Sequence, residues 1–366
     1  ILISMAVIYS SCNISGENQI QYQQELDAFF ATHPDMHGCL LSIANGSTSK
    51  NFATGWSDSA NQVLCEPNTP FLLASITKLY MAAATLRLCE EFPIKLDSSI
   101  HNYISPETNS LLISGGYQTD KITLEHLLSN RSGLSDYVET ERYQNRSVKE
   151  PSYSWTRAEQ IELMVRETKP YAAPGDSFHY SDVNFLLLGE IFEHFTQKPF
   201  YQAVRDLIDF KKHDLHHTWW DVFELAPKNL PPLAHQFARS YQSDSRSLHP
   251  SFDLYGGGGL VSTSADLARF TFLLFEGKLF KDPYSLELIL NLPDVAMSKD
   301  FNYRLGTMVW QHDGILAFGH GGFWGAMVQF FPDIETAVVV CPMERDYWPE
   351  AIELCRNTAQ SIRKAH

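Results

Sequence analysis

The sequence predicts an α/β protein in which an antiparallel β-sheet is flanked by helices and interrupted by a mostly helical insertion. Three observations lead there. Strand-like segments gather at the two ends of the chain, and the turns between them are too short for anything but antiparallel pairing. The middle of the chain alternates helix-forming runs with long polar loops. With 366 residues, 44% of them hydrophobic, the chain can fill one large core or two moderate ones. The expected division is residues 1–17 as an export segment, 18–95 and 255–366 as the α/β domain, and 96–254 as the inserted helical domain.

The formal charge of −15 and the lack of any basic cluster argue against a nucleic-acid partner, whose phosphates reward the opposite sign. At the N-terminus, Ile1 to Ile8 is a short apolar run that ends in Tyr9-Ser10-Ser11-Cys12. It reads as the end of an export signal, and small residues directly before a cysteine resemble the cleavage box of bacterial lipoproteins. An exported, periplasmic protein with a lipid anchor at Cys12 is therefore expected, the alternative being an ordinary N-terminal strand. The other cysteines are Cys39, Cys65, Cys89, Cys341 and Cys355. Bridges Cys39–Cys65 and Cys341–Cys355 are conceivable in an oxidising compartment, but buried thiols fit equally well and no disulfide is assigned.

Taken in order, Gln19 to Thr32 reads as an amphipathic helix with Ile20, Leu26, Phe29 and Phe30 on its apolar side. A hairpin follows, with Cys39–Ile43 and Lys50–Gly55 flanking the turn sequence Asn45-Gly46-Ser47-Thr48. Pro67 and Pro70 then disfavour helix, whereas Ala82 to Leu88 is unbroken helix-forming sequence, so Ser75 should lie in a first helical turn. In the insertion, Thr156-Arg157-Ala158-Glu159 has the form of a capping box. Gly306–Gln311, Leu316–Gly319, Trp324–Phe331 and Thr336–Cys341 read as strands, with a tight turn at Pro332-Asp333, and a helix from about Pro349 to Arg363 closes the chain.

The chemistry is suggested by Ser75-Ile76-Thr77-Lys78. Residues three apart share a helix face, so the hydroxyl and the amine should point the same way. A helix this apolar on all sides is buried, and a desolvated amine gives up its proton more readily. Ser75 and Lys78 thus form a candidate nucleophile with a base in reach. Gly256 to Gly259 lacks the Gly-Lys-Ser/Thr ending of a phosphate loop and reads as a close backbone approach. No dinucleotide fingerprint is present, and His213, His216 and His217 have no companion cluster, so neither a cofactor nor a metal is expected.

Beyond Ser75–Lys78, the stretches Leu127–Leu134, Ala173–Asp182, Gly257–Arg269 and Gly319–Gly322 follow one another in a familiar order. Through them the chain resembles the serine β-lactamase-like superfamily, on the branch of class C β-lactamases, DD-carboxypeptidases, D-aminopeptidases and family VIII esterases. The resemblance covers nearly everything after about residue 20. It implies the β-lactamase/transpeptidase-like fold and a penicillin-binding or hydrolytic activity. Tyr180-Ser181-Asp182 matches the Tyr-x-Asn motif at the tyrosine, which faces the nucleophile in that family, and either Lys78 or Tyr180 could be the base.

Asp182 departs from the family asparagine. A carboxylate accepts but cannot donate, so the amide N–H offered to a peptide or β-lactam carbonyl is missing, which counts against β-lactamase activity. An aspartate just before Val183 to Phe192 also suits a helix N-cap. His320-Gly321-Gly322 stands for the third motif, where β-lactamases keep a lysine, and implies a carboxylate clamp titrating near pH 6.5. By resemblance, the backbone N–H groups of Ser75 and Phe323 form the oxyanion hole, with Gly322 letting the substrate backbone come close. The expected function is serine hydrolysis of small esters or D-amino-acid peptides, by a carboxypeptidase or esterase. The competing reading is a penicillin-binding sensor or scaffold that is acylated without turnover.

Overall fold

Two of the turns expected from sequence set the sheet. Asn45-Gly46, with Gly46 at φ 61°, closes the hairpin between β1 (Gly38–Asn45) and β2 (Thr48–Asp58), and Asn45 pairs with Thr48. At the other end of the chain, Glu335 at φ 46° follows Pro332–Ile334 and returns the backbone into the last strand. The structure is a computed structural model that describes residues 16–46, 48–291, 295–298 and 301–364. The proposed export segment and Cys12 lie outside the described residues.

The remaining strands are β3 (Val63–Leu64), β4 (Phe71–Leu72), β5 (Thr218–Trp220), β6 (Phe237–Ala238), β7 (Ser243–Asp244) and β8 (Leu260–Ser262). They are followed by β9 (Val295–Ser298), β10 (Phe301–Arg304), β11 (Thr307–His312), β12 (Ile315–Gly321), β13 (Met327–Phe331) and β14 (Thr336–Pro342). Nine strands form one antiparallel sheet in the order β3-β2-β1-β14-β13-β12-β11-β10-β9, so the two ends of the chain meet where β1 pairs with β14. β9 and β10 extend the sheet beyond the strands expected from sequence, and Trp324 falls before β13 rather than in it.

β1 and β14 are buried on both faces, and the pleat sorts their side chains into two cores. Leu40, Ala44, Val339 and Cys341 join Leu267 and Phe270 of α9 (Ser264–Phe275). Cys39, Leu41, Ile43, Val338 and Val340 join Leu354 and Cys355 of α11 (Trp348–Lys364) and Leu26 of α1 (Gly16–Ala31). Of the residues expected on the apolar side of α1, Ile20 is exposed, and Tyr22 takes that role beside Leu26. The two cores also settle the cysteines: Cys341 and Cys355 occupy opposite faces of the sheet, as do Cys39 and Cys65, and all five described cysteines are free thiols.

Between the two parts of the sheet lie α2 (Thr77–Glu91), α3 (Pro106–Ser114), α4 (Leu124–Leu128), α5 (Glu141–Lys149), α6 (Arg157–Glu167), α7 (Val183–Thr196) and α8 (Phe200–Ile208), with α10 (Tyr284–Asn291) following α9. The capping box is present: the Glu159 N–H donates to Thr156 Oγ1 at 3.2 Å, and the Thr156 N–H donates to Glu159 Oε2 at 2.8 Å. The middle region also carries the short strands β5, β6 and β7, of which β5 pairs with β8, which pairs with β4. That three-stranded sheet delivers the chain from Leu72 straight into the turn that holds Ser75. Among the described residues, no helix is long and apolar enough to cross a membrane.

α2 is locked to the sheet through α9 by Tyr80 and Phe270, both fully buried, whose rings stack with centroids 3.5 Å apart. Phe270→Ala should therefore cost about 3–5 kcal/mol of unfolding free energy by urea denaturation. A loss below about 1 kcal/mol would show that this stack does not hold α2 in place.

Candidate active site

Ser75 sits in a 3-10 turn, Ala74–Ile76, that runs directly into α2. Ala74 has φ 46°, a left-handed conformation that costs a non-glycine residue about 1 kcal/mol or more. Packing sustains it: Ala74 is buried against Ala238 and Trp324. The end of β12 braces the same turn, because a Cβ on Gly322 would lie 2.4 Å from the Leu73 carbonyl oxygen. A glycine is needed there for the strand to come this close.

One turn on, Lys78 is fully buried, and its ammonium has three oxygen neighbours, two of them hydrogen-bond acceptors and the third an ion-pair partner. Nζ lies 3.0 Å from Ser75 Oγ, 2.6 Å from the Gly257 carbonyl and 2.6 Å from Asp182 Oδ1. The rings of Tyr180 and Phe185 complete the enclosure, with centroids 4.9 and 5.2 Å from Nζ. The glycine run is the close approach expected from sequence. A Cβ on Gly257 would lie 2.9 Å from Asp182 Cβ, and one on Gly258 would lie 2.3 Å from Asp253 Oδ2.

Asp182 occupies the residue before α7, yet its side chain makes no capping bond. The helix-cap reading is thereby corrected: the carboxylate is turned inward and neutralises Lys78. The loop carrying it hangs on Asn130, a left-handed residue at φ 54°. Asn130 Oδ1 accepts from the Ser181 N–H at 3.0 Å and from Asn184 Nδ2 at 2.8 Å, and its carbonyl accepts from the His179 N–H at 2.8 Å. Asp136 adds a further tie, accepting from the Asp182 N–H at 2.5 Å.

One buried cation can neutralise only one carboxylate, and the surrounding acids respond accordingly. Burial, reinforced by the Asp182 charge, pushes Asp136 up to about 8. The same two causes raise Asp253 well above the carboxylate range, with Lys78 opposing them. Burial and then the Asp182 charge lift the Tyr180 phenol well above 10, against a hydrogen bond with Ser75. Tyr180 therefore keeps its proton at physiological pH.

His320 requires a second correction. It is fully buried behind Tyr180, with ring centroids 6.3 Å apart, and Nδ1 donates to the Gly321 carbonyl at 2.7 Å. Burial, and then the Lys78 charge, depress it to about 3. The ring is neutral across the physiological range and cannot serve as a clamp switched near pH 6.5. Gly322 and Phe323 follow at the end of β12, and pairing of β12 with β11 stops at Met308↔Gly319, short of these residues. Asn130, Asp136 and Asp253 were not singled out from sequence. Asn130 lay within a quoted stretch, whereas nothing local marked the two aspartates.

A sequence profile of the Beta-lactamase family matches residues 26–351. Protein flp of Staphylococcus aureus (strain MW2) is 25% identical over 168 residues, 46% of this chain and 31% of that protein. The chain thus spans about a third of the length of that relative. A putative D-alanyl-D-alanine carboxypeptidase of Salmonella agona is 24% identical over 311 residues, 77% of this chain and 71% of that one. A D-stereospecific amidohydrolase from Streptomyces sp. has the same fold, with a TM-score of 0.77 and 23% identity over 92% of this chain and 98% of its own.

The neutral imidazole has a consequence for stability. The folded pKa of His320, about 3, lies below the unfolded value near 6.5, so its contribution is whole above pH 6.5 and is lost as pH falls toward 3. His320→Gln removes that titration. Between pH 6.5 and 4, the unfolding free energy of the wild type should fall relative to the variant, by at most about 1.4 kcal/mol per pH unit in urea titrations. Parallel pH profiles would mean that the ring is solvated and charges freely.

Proposed function

The chain belongs to the Beta-lactamase family, and from that membership we propose that it is a serine hydrolase acting through an acyl-enzyme on small esters or D-amino-acid amides and peptides. The observation that carries this reading is one ammonium touching both the Ser75 hydroxyl, at 3.0 Å, and the Asp182 carboxylate, at 2.6 Å. In the resting state Lys78 donates to Ser75. Passing one proton to Asp182 frees a lone pair on Nζ, which then takes the Ser75 proton as Oγ attacks the substrate carbonyl carbon.

Tyr180, neutral and within hydrogen-bond reach of Ser75, protonates the departing nitrogen or oxygen. Its phenolate is refilled from the Lys78–Asp182 pair, so the proton taken from Ser75 leaves with the first product. In the second half, water gives its proton to the same groups while its oxygen bonds to the acyl carbon, and those groups return the proton to Ser75 Oγ as it leaves, restoring the hydroxyl. The N–H groups of Ser75 and Phe323 are the expected oxyanion donors, each worth on the order of 3 kcal/mol.

The relatives bear on the choice of substrate. One is named a putative D-alanyl-D-alanine carboxypeptidase and one a D-stereospecific amidohydrolase. A neutral His320 removes the cation expected to hold a substrate carboxylate, which favours amide or ester substrates over carboxypeptidase ones.

Kinetics with a p-nitrophenyl ester and the matching amide test the scheme. Ser75→Ala should abolish turnover of both. Lys78→Ala and Asp182→Asn should each lower kcat/KM by roughly 10²–10⁴, and together by no more than the worse of the two, because they act as one unit. Additive losses would separate Asp182 from the proton path. Tyr180→Phe should harm amide cleavage far more than release of p-nitrophenolate, which departs without a proton. Equal losses on both substrates would contradict its role as the acid, and a burst with no later release would favour the sensor reading.

A further inference from the structure

Beyond the end of β12 the backbone makes a tight turn. The Gly325 N–H donates to the Gly322 carbonyl at 3.0 Å, which puts Phe323 and Trp324 at the tip. No peptide bond is cis, so the N–H that shares a peptide unit with the Gly322 carbonyl, that of Phe323, points the opposite way. It makes no hydrogen bond among the described residues. The two tip side chains diverge. Trp324 packs against Ala74, next to Ser75, whereas Phe323 meets the side chain of Arg345.

Arg345 Nη1 donates to the Phe323 carbonyl at 2.8 Å, and Nη2 donates to the Tyr241 hydroxyl at 3.3 Å. Its guanidinium carbon lies 4.5 Å from the Phe323 ring centroid and 4.6 Å from that of Tyr241, so the planar cation is gripped by two rings as well as by two oxygens. Arg345 is flanked in sequence by two acids and pairs with neither. Glu344 is fully buried and accepts from Arg239 Nε at 2.7 Å, and Asp346 accepts from the Ser240 hydroxyl at 2.6 Å. Those bonds pin the 3-10 turn Arg239–Tyr241 against residues 344–346 and thereby set Tyr241 as the second ring. The backbone closes in from the same side: a Cβ on Gly325 would lie 2.8 Å from the Glu344 carbonyl oxygen and 3.1 Å from Arg345 Cα. A guanidinium that forgoes both adjacent carboxylates to hold one carbonyl and two rings is placed for geometry rather than for charge pairing.

We propose that Arg345 is a positioning residue for the oxyanion hole: acting from outside the site, it holds the Phe323 turn so that the Phe323 N–H faces the carbonyl that Ser75 attacks. The inference rests on the reading of Ser75 as nucleophile and of the Phe323 N–H as an oxyanion donor. Two peptide planes meet at Phe323. Gly325 holds the one before it through the Gly322 carbonyl, and Arg345 holds the one after it through the Phe323 carbonyl, so the N–H between them cannot swing. Direction matters because an oxyanion donor acts only at about 2.7–3.1 Å from the developing charge, and a misplacement of about 1 Å can cost about 100-fold in rate. A lysine could reach the Phe323 carbonyl, but it lacks the planar fork that binds Tyr241 at the same time.

The test compares p-nitrophenyl benzoate with its thiono counterpart, in which a sulfur that accepts hydrogen bonds poorly replaces the carbonyl oxygen. The ratio of the two kcat/KM values reports on the oxyanion donors and does not depend on the fraction of enzyme that is folded. Arg345→Met should lower kcat/KM for the oxygen ester at least tenfold, mainly through kcat, and shrink the oxygen-to-sulfur ratio at least fivefold. Arg345→Lys should recover part of both. Equal losses on the two esters would overturn the proposal, since an arginine that only supports the fold lowers both alike. Should Arg345→Met not fold, Tyr241→Ala, at an exposed ring, supplies the second variant: it should shrink the ratio at least twofold, and an unchanged ratio would count against the clamp. Crystal structures of the wild type and Arg345→Met separate the clamp from the choice of nucleophile. A Phe323 N–H turned away from Ser75 in the variant upholds the clamp even where Ser75→Ala retains turnover, and an unmoved turn rejects it even where Ser75→Ala is inactive.

Discussion

Burying the Lys78 ammonium is the constraint on which the rest of the site depends. An isolated ammonium removed from water costs several kcal/mol, and the cost is offset only by close, well-aimed oxygens. The protein supplies two hydrogen-bond acceptors, Ser75 Oγ and the Gly257 carbonyl, and the countercharge of Asp182, whose Oδ1 lies 2.6 Å away. Each comes from a different part of the chain, so the demand of one charge fixes the start of α2, the glycine run before β8 and the loop before α7 relative to one another. A lysine lacking any one of them would pull water or a neighbouring acid into the site.

That constraint explains features that otherwise look unrelated. The glycines at 257 and 258 leave room for two aspartate side chains to lie against backbone. Asn130 accepts a left-handed backbone because its amide oxygen must catch both Ser181 and Asn184. Once Asp182 has matched the one cation, Asp136 and Asp253 are driven toward their neutral forms. Tyr180, facing the same negative charge, keeps its proton. The division of labour we propose, a lysine–carboxylate pair that receives protons and a phenol that gives one, is consistent with this balance.

The fold was largely legible in the sequence because its signals are local: the Asn45-Gly46 turn, the Thr156–Glu159 capping box and the runs that became β11 to β14 and α11 each depend on neighbouring residues. Ser75 and Lys78 were legible for the same reason, being one helical turn apart. What could not be read was long-range. Asp182 before an apolar helix has the local form of a cap, and only the arrival of Lys78, 104 positions earlier, turns it inward. His320 looks titratable until β12 is buried behind Tyr180. Ile20 fits an apolar stripe by spacing yet is exposed, while Tyr22 packs against Phe52 of β2.

The central claim is that Ser75 becomes covalently acylated. Intact-protein mass spectrometry on samples quenched in acid within milliseconds of mixing with an activated ester, followed by peptide mapping, tests it most directly. The account predicts a transient mass increase of one acyl group, confined to the peptide containing Ser75 and decaying at the rate of product release. Steady hydrolysis with no acyl mass on that peptide, or an adduct on another residue, would contradict it.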